Sequence, residues 1–173
     1  FDVVFRWLRD GLPAGLEILK LGWVHSTLKQ KYFPGLFDRY VQLKGLQLEA
    51  ECPLSRPWTS DSMRHTMEVL VWGDCFGATE DELGELASLE NVRMVNLVMS
   101  APEPEDLAKV CEAMPASVKV LYLDWDSSEP FSLVDWSVIG VLQGLVELCV
   151  CLDSCEFADG AGTAAISSHM ARL

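Results

Sequence analysis

The chain has 173 residues, half of them apolar, and a formal net charge of −13. A chain of this length and hydrophobicity buries roughly two thirds of its unfolded surface on folding, so the composition excludes a disordered tail and indicates one folded domain. The 26 acidic residues against 13 basic ones exclude nucleic acids and anionic membrane surfaces as expected partners, because both attract clustered Lys and Arg.

The first half of the chain has a clear helical pattern only at its start. Apolar residues at positions 1, 4, 5 and 8 recur with a helical period, and this helix is predicted to end at Gly11. The interval 27–41 is interrupted by Pro34. The interval 53–65 is rich in Pro, Ser and Asp, so it favours a loop with at most a short helix.

The second half of the chain predicts regular helices between its apolar segments. Thr79 and Glu82 have the spacing of a capping box ahead of apolar residues at positions 83, 86 and 89. Pro104 precedes apolar residues at positions 107, 110, 111 and 114, and Pro115 ends that helix. Ser132 begins a further helix with apolar residues at positions 138, 139, 142 and 145, and residues 162–173 are predicted to form the last one.

One short pattern, apolar-x-x-apolar-x-apolar, recurs six times along the chain. Its anchors are Leu16/Leu19/Leu21, Leu43/Leu46/Leu48, Met67/Leu70/Trp72, Val92/Val95/Leu97, Val118/Leu121/Leu123 and Leu145/Leu148/Val150. Successive first anchors lie 27, 24, 25, 26 and 27 residues apart. The later copies are followed three residues on by Cys75, Ser100, Asp126 and Asp153. The period-two anchors and the helical intervals between them indicate strands that alternate with helices.

These anchors and their spacing resemble leucine-rich repeats, most closely the ribonuclease-inhibitor and F-box-associated types. The resemblance implies an α/β solenoid over residues 1–173, a single repeat domain of about six repeats of 24–27 residues with a parallel sheet in sequence order and helices on the convex side. The chain is then expected to be a piece of a longer array. No Asn occupies the ninth position of any repeat, where the family usually has Asn or Cys, and only Cys75 matches it strictly.

The function implied by this resemblance is non-catalytic. The family suggests an intracellular scaffold that binds another protein on the concave sheet face without a cofactor or metal, with substrate recognition in an F-box-like adaptor as one such role. If the register holds, the concave face is apolar at its centre and acidic beside it, which favours a basic protein partner. The predicted contact residues on this face are Trp23, Asp74, Met94, Met99, Tyr122, Asp124 and Trp125.

Two alternatives stay open. Several strands are apolar on both faces, which is also typical of a doubly wound α/β enzyme, or of a concave face covered by other parts of the protein. The strand that ends in Asp124-Trp125-Asp126 resembles the nucleophile motif of haloacid-dehalogenase-like phosphatases, which implies Asp124 as nucleophile and Asp126 as general acid/base beside Mg²⁺. The repeat offers another explanation, because Asp126 occupies the same repeat position as Ser100.

One group of residues has side chains of the kind that bind zinc. Cys149, Cys151, Cys155 and His169 are the densest grouping of thiol and imidazole side chains. Zinc ligands prefer gaps of two to four residues and a turn, whereas Cys149 and Cys151 alternate along an apolar strand. The spacing therefore favours strand packing over a metal site.

Overall fold

The computed structural model describes residues 2–22, 37–48, 60–73, 78–100, 104–126 and 136–153. Its helices are α1 (Asp2–Gly11), α2 (Asp61–Thr66), α3 (Glu80–Ala87) and α4 (Pro104–Ala113), with a 3₁₀ helix at Trp136–Val141. Its strands are β1 (Ile18–Leu21), β2 (Gly45–Leu48), β3 (Val69–Gly73), β4 (Met94–Ser100), β5 (Val120–Asp126) and β6 (Glu147–Asp153). The protein is therefore an α/β protein, as predicted.

The six strands form a single sheet. Every neighbouring pair is parallel, and the spatial order β1-β2-β3-β4-β5-β6 is the order along the chain. The predicted parallel sheet in sequence order is confirmed. A doubly wound sheet reverses its strand order near the middle, so that alternative is wrong as a description of these strands.

The pairing register follows the repeat pattern. The second anchors of all six copies lie side by side, in the order Leu19, Leu46, Leu70, Val95, Leu121 and Leu148. The third anchors are aligned in the same way, two residues further along each strand. Since a slip of one residue would turn every anchor to the other side of the sheet, burial of the anchors fixes this register.

One face of the sheet packs against the helices to form the core. The second and third anchors of β1 to β5 are all buried, and those of β6 are partly buried against the same cluster. The helices contribute Met63 from α2, Leu86 from α3 and Leu107 from α4, all fully buried. Each such side chain stabilises the fold by about 1.5–3 kcal/mol through removal from water.

The capping box predicted at the start of α3 is confirmed. The backbone N–H of Thr79 donates to Glu82 Oε2 at 2.7 Å, and the Glu82 N–H donates to Thr79 Oγ1 at 3.4 Å. Two of the N–H groups left without helical partners are thereby satisfied. Helix α2 begins in a related way, with the Ser60 hydroxyl accepting from the Met63 N–H at 3.3 Å.

The described helices are short. Helices α1 and α4 have 10 residues each, α3 has 8, and α2 has 6, which agrees with the short helix expected in its interval. The helix expected after Ser132 is a 3₁₀ helix in its described part, where Gly140 and β-branched residues at 138, 139 and 141 disfavour a longer α-helix. Residues 162–173 lie outside the described ranges. No helix within those ranges combines the length and hydrophobicity of a membrane span.

A repeated backbone contact joins each strand to the next at its N-terminal end. The carbonyl oxygen of Glu17 accepts from the N–H groups of both Lys44 and Gly45, at 2.8 and 3.0 Å. The same two-to-one pattern recurs at the carbonyls of residues 44, 68, 93 and 119, with distances of 2.7–3.2 Å. All five steps between neighbouring strands therefore share one backbone geometry, which the sequence pattern did not predict.

Candidate functional site

The candidate site is the sheet face opposite the core, which we call the open face. It carries the side chains that alternate with the buried anchors. In β3, β4 and β5 these side chains are half-buried: Val69, Val71, Met94, Asn96, Val98, Val120, Tyr122 and Asp124. In the edge strands they are exposed: Ile18 and Lys20 in β1, and Glu147, Cys149 and Cys151 in β6. The open face is thus largely apolar and accessible across the described strands, as expected of an interaction surface.

The parallel register arranges these side chains in three rows across the strands. The first row, from β1 to β6, is Ile18, Gly45, Val69, Met94, Val120 and Glu147. The second row is Lys20, Gln47, Val71, Asn96, Tyr122 and Cys149. The third row, from β3 to β6, is Gly73, Val98, Asp124 and Cys151. Neighbouring strands are about 4.8 Å apart, so adjacent side chains in a row touch.

The β4–β6 half of the open face is acidic. Asp124 and Glu147 are its charged residues, and no described open-face residue of these three strands is basic. The Tyr122 hydroxyl donates to Glu147 Oε1 at 2.9 Å, which ties the second row to the first. This hydrogen bond and the negative charge of Glu147 raise the pKa of Tyr122 above its ordinary value. The phenol stays neutral at physiological pH and presents a ring beside two carboxylates.

The β1–β3 half of the open face contains a notch, which we call the Gly45 notch. It measures about 380 Å³, and Gly45 forms its floor between the side chains of Ile18 and Val69. Ile18 is 62% exposed, an unusual position for so apolar a side chain. Glu17 and Lys44 flank the notch and form an ion pair at 3.2 Å. The notch is an apolar depression with charged edges.

Five of the seven predicted contact residues lie on described strands, and three of the five are placed on the open face as predicted. Met94, Tyr122 and Asp124 all lie on the open face, half-buried. Trp125 lies in β5 opposite Met99, and its side chain is outside the described part of the structure. Trp23 and Asp74 also lie outside the described residues, so their placement stays a prediction.

The prediction that Met99 is a surface contact is wrong. Met99 is 0% exposed and belongs to the core. The reason is the period of two along β4, because Met99 follows Val95 and Leu97 on the buried side of the same strand. In the repeat pattern Met99 follows the last anchor, whereas β4 continues to Ser100 and keeps its alternation.

Two features of the open face were not singled out from the sequence. The Gly45 notch combines residues from three strands, and only a glycine inside a strand pattern signals it in the sequence. Glu147 is not among the seven predicted contact residues. Its importance comes from the hydrogen bond with Tyr122, which joins residues 25 positions apart.

The two aspartates of the predicted phosphatase motif belong to the last three residues of β5. Asp124 is half-buried on the open face, opposite Val98 and Cys151. Asp126 is the last residue of the strand and is in register with Ser100 and Asp153, as the repeat predicts. Within the described ranges, no cluster of three or more His, Cys, Asp or Glu side chains is arranged to hold a metal ion.

The described cysteines differ in their surroundings. Cys149 and Cys151 are exposed on the open face of β6, and Cys155 and His169 lie outside the described residues. Cys111 is buried in α4, and burial, with a smaller contribution from the charge of Glu112, raises the pKa of its thiol to about 12. The Cys111 thiol is therefore protonated at physiological pH and serves as a core side chain.

Comparison of the chain with known protein families, with curated proteins and with solved structures finds no match.

Proposed function

We propose that the chain is a repeat array of leucine-rich-repeat type that binds another protein through the open face of its sheet. Three observations support the repeat architecture. The strands lie in sequence order, the anchors of all six copies are in register, and one backbone contact recurs at all five steps between strands. Units that each contact only their neighbours are the defining property of repeat proteins.

The observation that carries the binding function is the accessible apolar surface on β3 to β5. Rows of half-buried Val and Met side chains cover the middle of the open face, where a protein with a core on both sides of its sheet would bury them. Met and Tyr side chains are favoured in protein interfaces, and Met94 and Tyr122 provide them here. Binding of a protein partner would remove this surface from water.

The charge on the open face selects the kind of partner. Asp124 and Glu147 give the β4–β6 half a negative potential, and the whole chain carries a charge of −13. Complementary charge accelerates association and disfavours wrong partners. We therefore propose a partner segment that is apolar and basic. Substrate recognition within an F-box-like adaptor, in an intracellular setting, is one role that suits such a surface.

The experiment places a lysine on each side of the sheet and, separately, removes one carboxylate from the open face. Proteins that the chain captures are identified and purified. The affinity of each is then measured for the parent chain and for the variants Met94→Lys and Asp124→Asn. The control is Val141→Lys, which places the same charge on a 52% exposed valine of the 3₁₀ helix, on the helix side of the sheet. We expect the open-face variants to bind about tenfold or more weakly while remaining folded, and the control to bind like the parent. Equal affinity for all four proteins would contradict the proposal.

The phosphatase alternative is tested separately. Asp124 and Asp126 would need to turn over a phosphomonoester in the presence of Mg²⁺. We expect no hydrolysis of p-nitrophenyl phosphate above the level of a heat-treated sample. Hydrolysis that depends on Mg²⁺ and disappears in Asp124→Asn would replace the scaffold proposal by an enzymatic one.

A further inference from the structure

The Gly45 notch lies in the first row of the open face, and the acidic residue Glu147 lies at the far end of the same row. Between them the row contains Val69, Met94 and Val120, all half-buried. The first row is therefore an apolar track that starts at a depression and ends at a carboxylate. The hydrogen bond from Tyr122 holds that carboxylate at 2.9 Å.

We infer that the first row binds one extended segment of the partner protein, with a bulky apolar side chain in the Gly45 notch and a Lys or Arg at Glu147. This inference rests on the proposed function and names the partner chemistry. Gly45 is the first residue of β2, and a glycine in a strand often marks a place where another chain approaches closely. A depression of about 380 Å³, lined by Ile18 and Val69, admits a Leu, Phe or Trp side chain.

The distance between the two ends of the row sets the spacing in the partner. Gly45 is in β2 and Glu147 is in β6, so four strand steps separate them. At about 4.8 Å a step the separation is about 19 Å, which an extended chain at about 3.3 Å a residue covers in about six residues. The partner segment is thus a bulky apolar residue followed or preceded, about six positions away, by a basic residue.

The charges on the row agree with this orientation. Lys44 is already paired with Glu17 beside the notch, so this edge adds little net charge. Lys20 and Glu68 also line the notch, so its two basic and two acidic residues balance. The notch end therefore neither attracts nor repels a basic residue of the partner, whereas Glu147 attracts it, which places the basic residue of the segment at the β6 end.

The test uses a displayed library of random 12-residue peptides, selected on the 173-residue chain and on two variants. Gly45→Val fills the notch; its Cβ meets Ile18 at an ordinary 3.5 Å, and thermal unfolding of the variant checks that its two further methyl groups are tolerated. Gly45→Ala is the matched control, since it adds the Cβ alone. Glu147→Gln removes the charge at the other end. Selected peptides are then synthesised with a fluorescent label and titrated by anisotropy.

The expected result is enrichment of peptides with Leu, Phe or Trp five to seven positions from Lys or Arg. We expect affinity for them to fall about tenfold in Gly45→Val and in Glu147→Gln, and to stay within about twofold in Gly45→Ala. Basic peptides that bind through Asp124 and do not respond to Gly45→Val would overturn the inference and leave the proposed function intact. Selection of no binding peptide, or of peptides unaffected by every open-face substitution, would overturn both.

Discussion

The two methionines of β4 provide the sharpest test of which sheet face is covered. Met94 and Met99 belong to the same strand, and the structure places Met94 half-buried on the open face and Met99 0% exposed in the core. Replacing each by Ala removes the same three heavy atoms. The comparison therefore isolates burial, because residue type and strand are held constant.

The expected loss at Met99 follows from its full burial. Three buried atoms at about 0.8 kcal/mol for each methylene-sized group give about 2.4 kcal/mol, and the cavity brings the total for Met99→Ala to about 3 kcal/mol. In a domain of this size that loss lowers the Tm by about 6–12 °C. Met94→Ala should cost about 1 kcal/mol or less, because water already reaches its side chain.

The assay is urea unfolding followed by far-UV circular dichroism and by tryptophan fluorescence. Coincident transitions from the two probes show that the array unfolds as one unit, which repeat proteins do not always do. An equal loss at both positions, or a larger loss at Met94, would refute the reasoning, because the open face would then be a second core.

Three further predictions concern a helix cap and two titratable groups. Thr79→Ala should destabilise the protein by about 1 kcal/mol in urea unfolding through loss of the capping box, and Thr79→Ser should not; an equal loss in both would exclude the cap as the cause. Iodoacetamide at pH 8 should modify Cys149 and leave Cys111 unmodified in the folded protein, as measured by mass spectrometry, because the pKa of Cys111 is raised to about 12. Since that pKa lies above the ordinary value near 9, the stabilising contribution of the protonated thiol is complete below pH 9 and is lost as the pH rises towards 12. Glu147→Gln should lower the pKa of Tyr122, seen in the tyrosinate absorbance after subtraction of a Tyr122→Phe spectrum, and an unchanged pKa would show that the hydrogen bond does not form in solution.

The sheet was predictable because its register depends on burial of widely spaced anchors. Leu70, Val95 and Leu121 have equivalent positions in a period of about 25 residues, and each is 0% exposed. A pattern of this kind records the packing of one unit on the next, so it determines the strand order as well as the strand positions. Helix starts were predictable where a cap was present in the sequence, as at Thr79.

The candidate site was less predictable, because a strand's length decides which face its last residues occupy. Methionine is a residue type favoured in interfaces, and only the continued alternation of β4 shows that Met99 points into the core. The Gly45 notch depends on Ile18 and Val69, which are 27 residues before and 24 residues after the glycine. No local signal joins them, and they meet only after the sheet has formed.

The repeated backbone contact at the N-terminal ends of the strands has a consequence for how such a protein can vary. The six equivalent positions 17, 44, 68, 93, 119 and 146 hold Glu, Lys, Glu, Arg, Lys and Val, all exposed. Only backbone groups make the contact, so acidic, basic and aliphatic residues can all occupy these positions. Mutation at these six positions can therefore reverse the local charge while the stacking of successive units is preserved. A change of local charge also changes the long-range attraction of ligands.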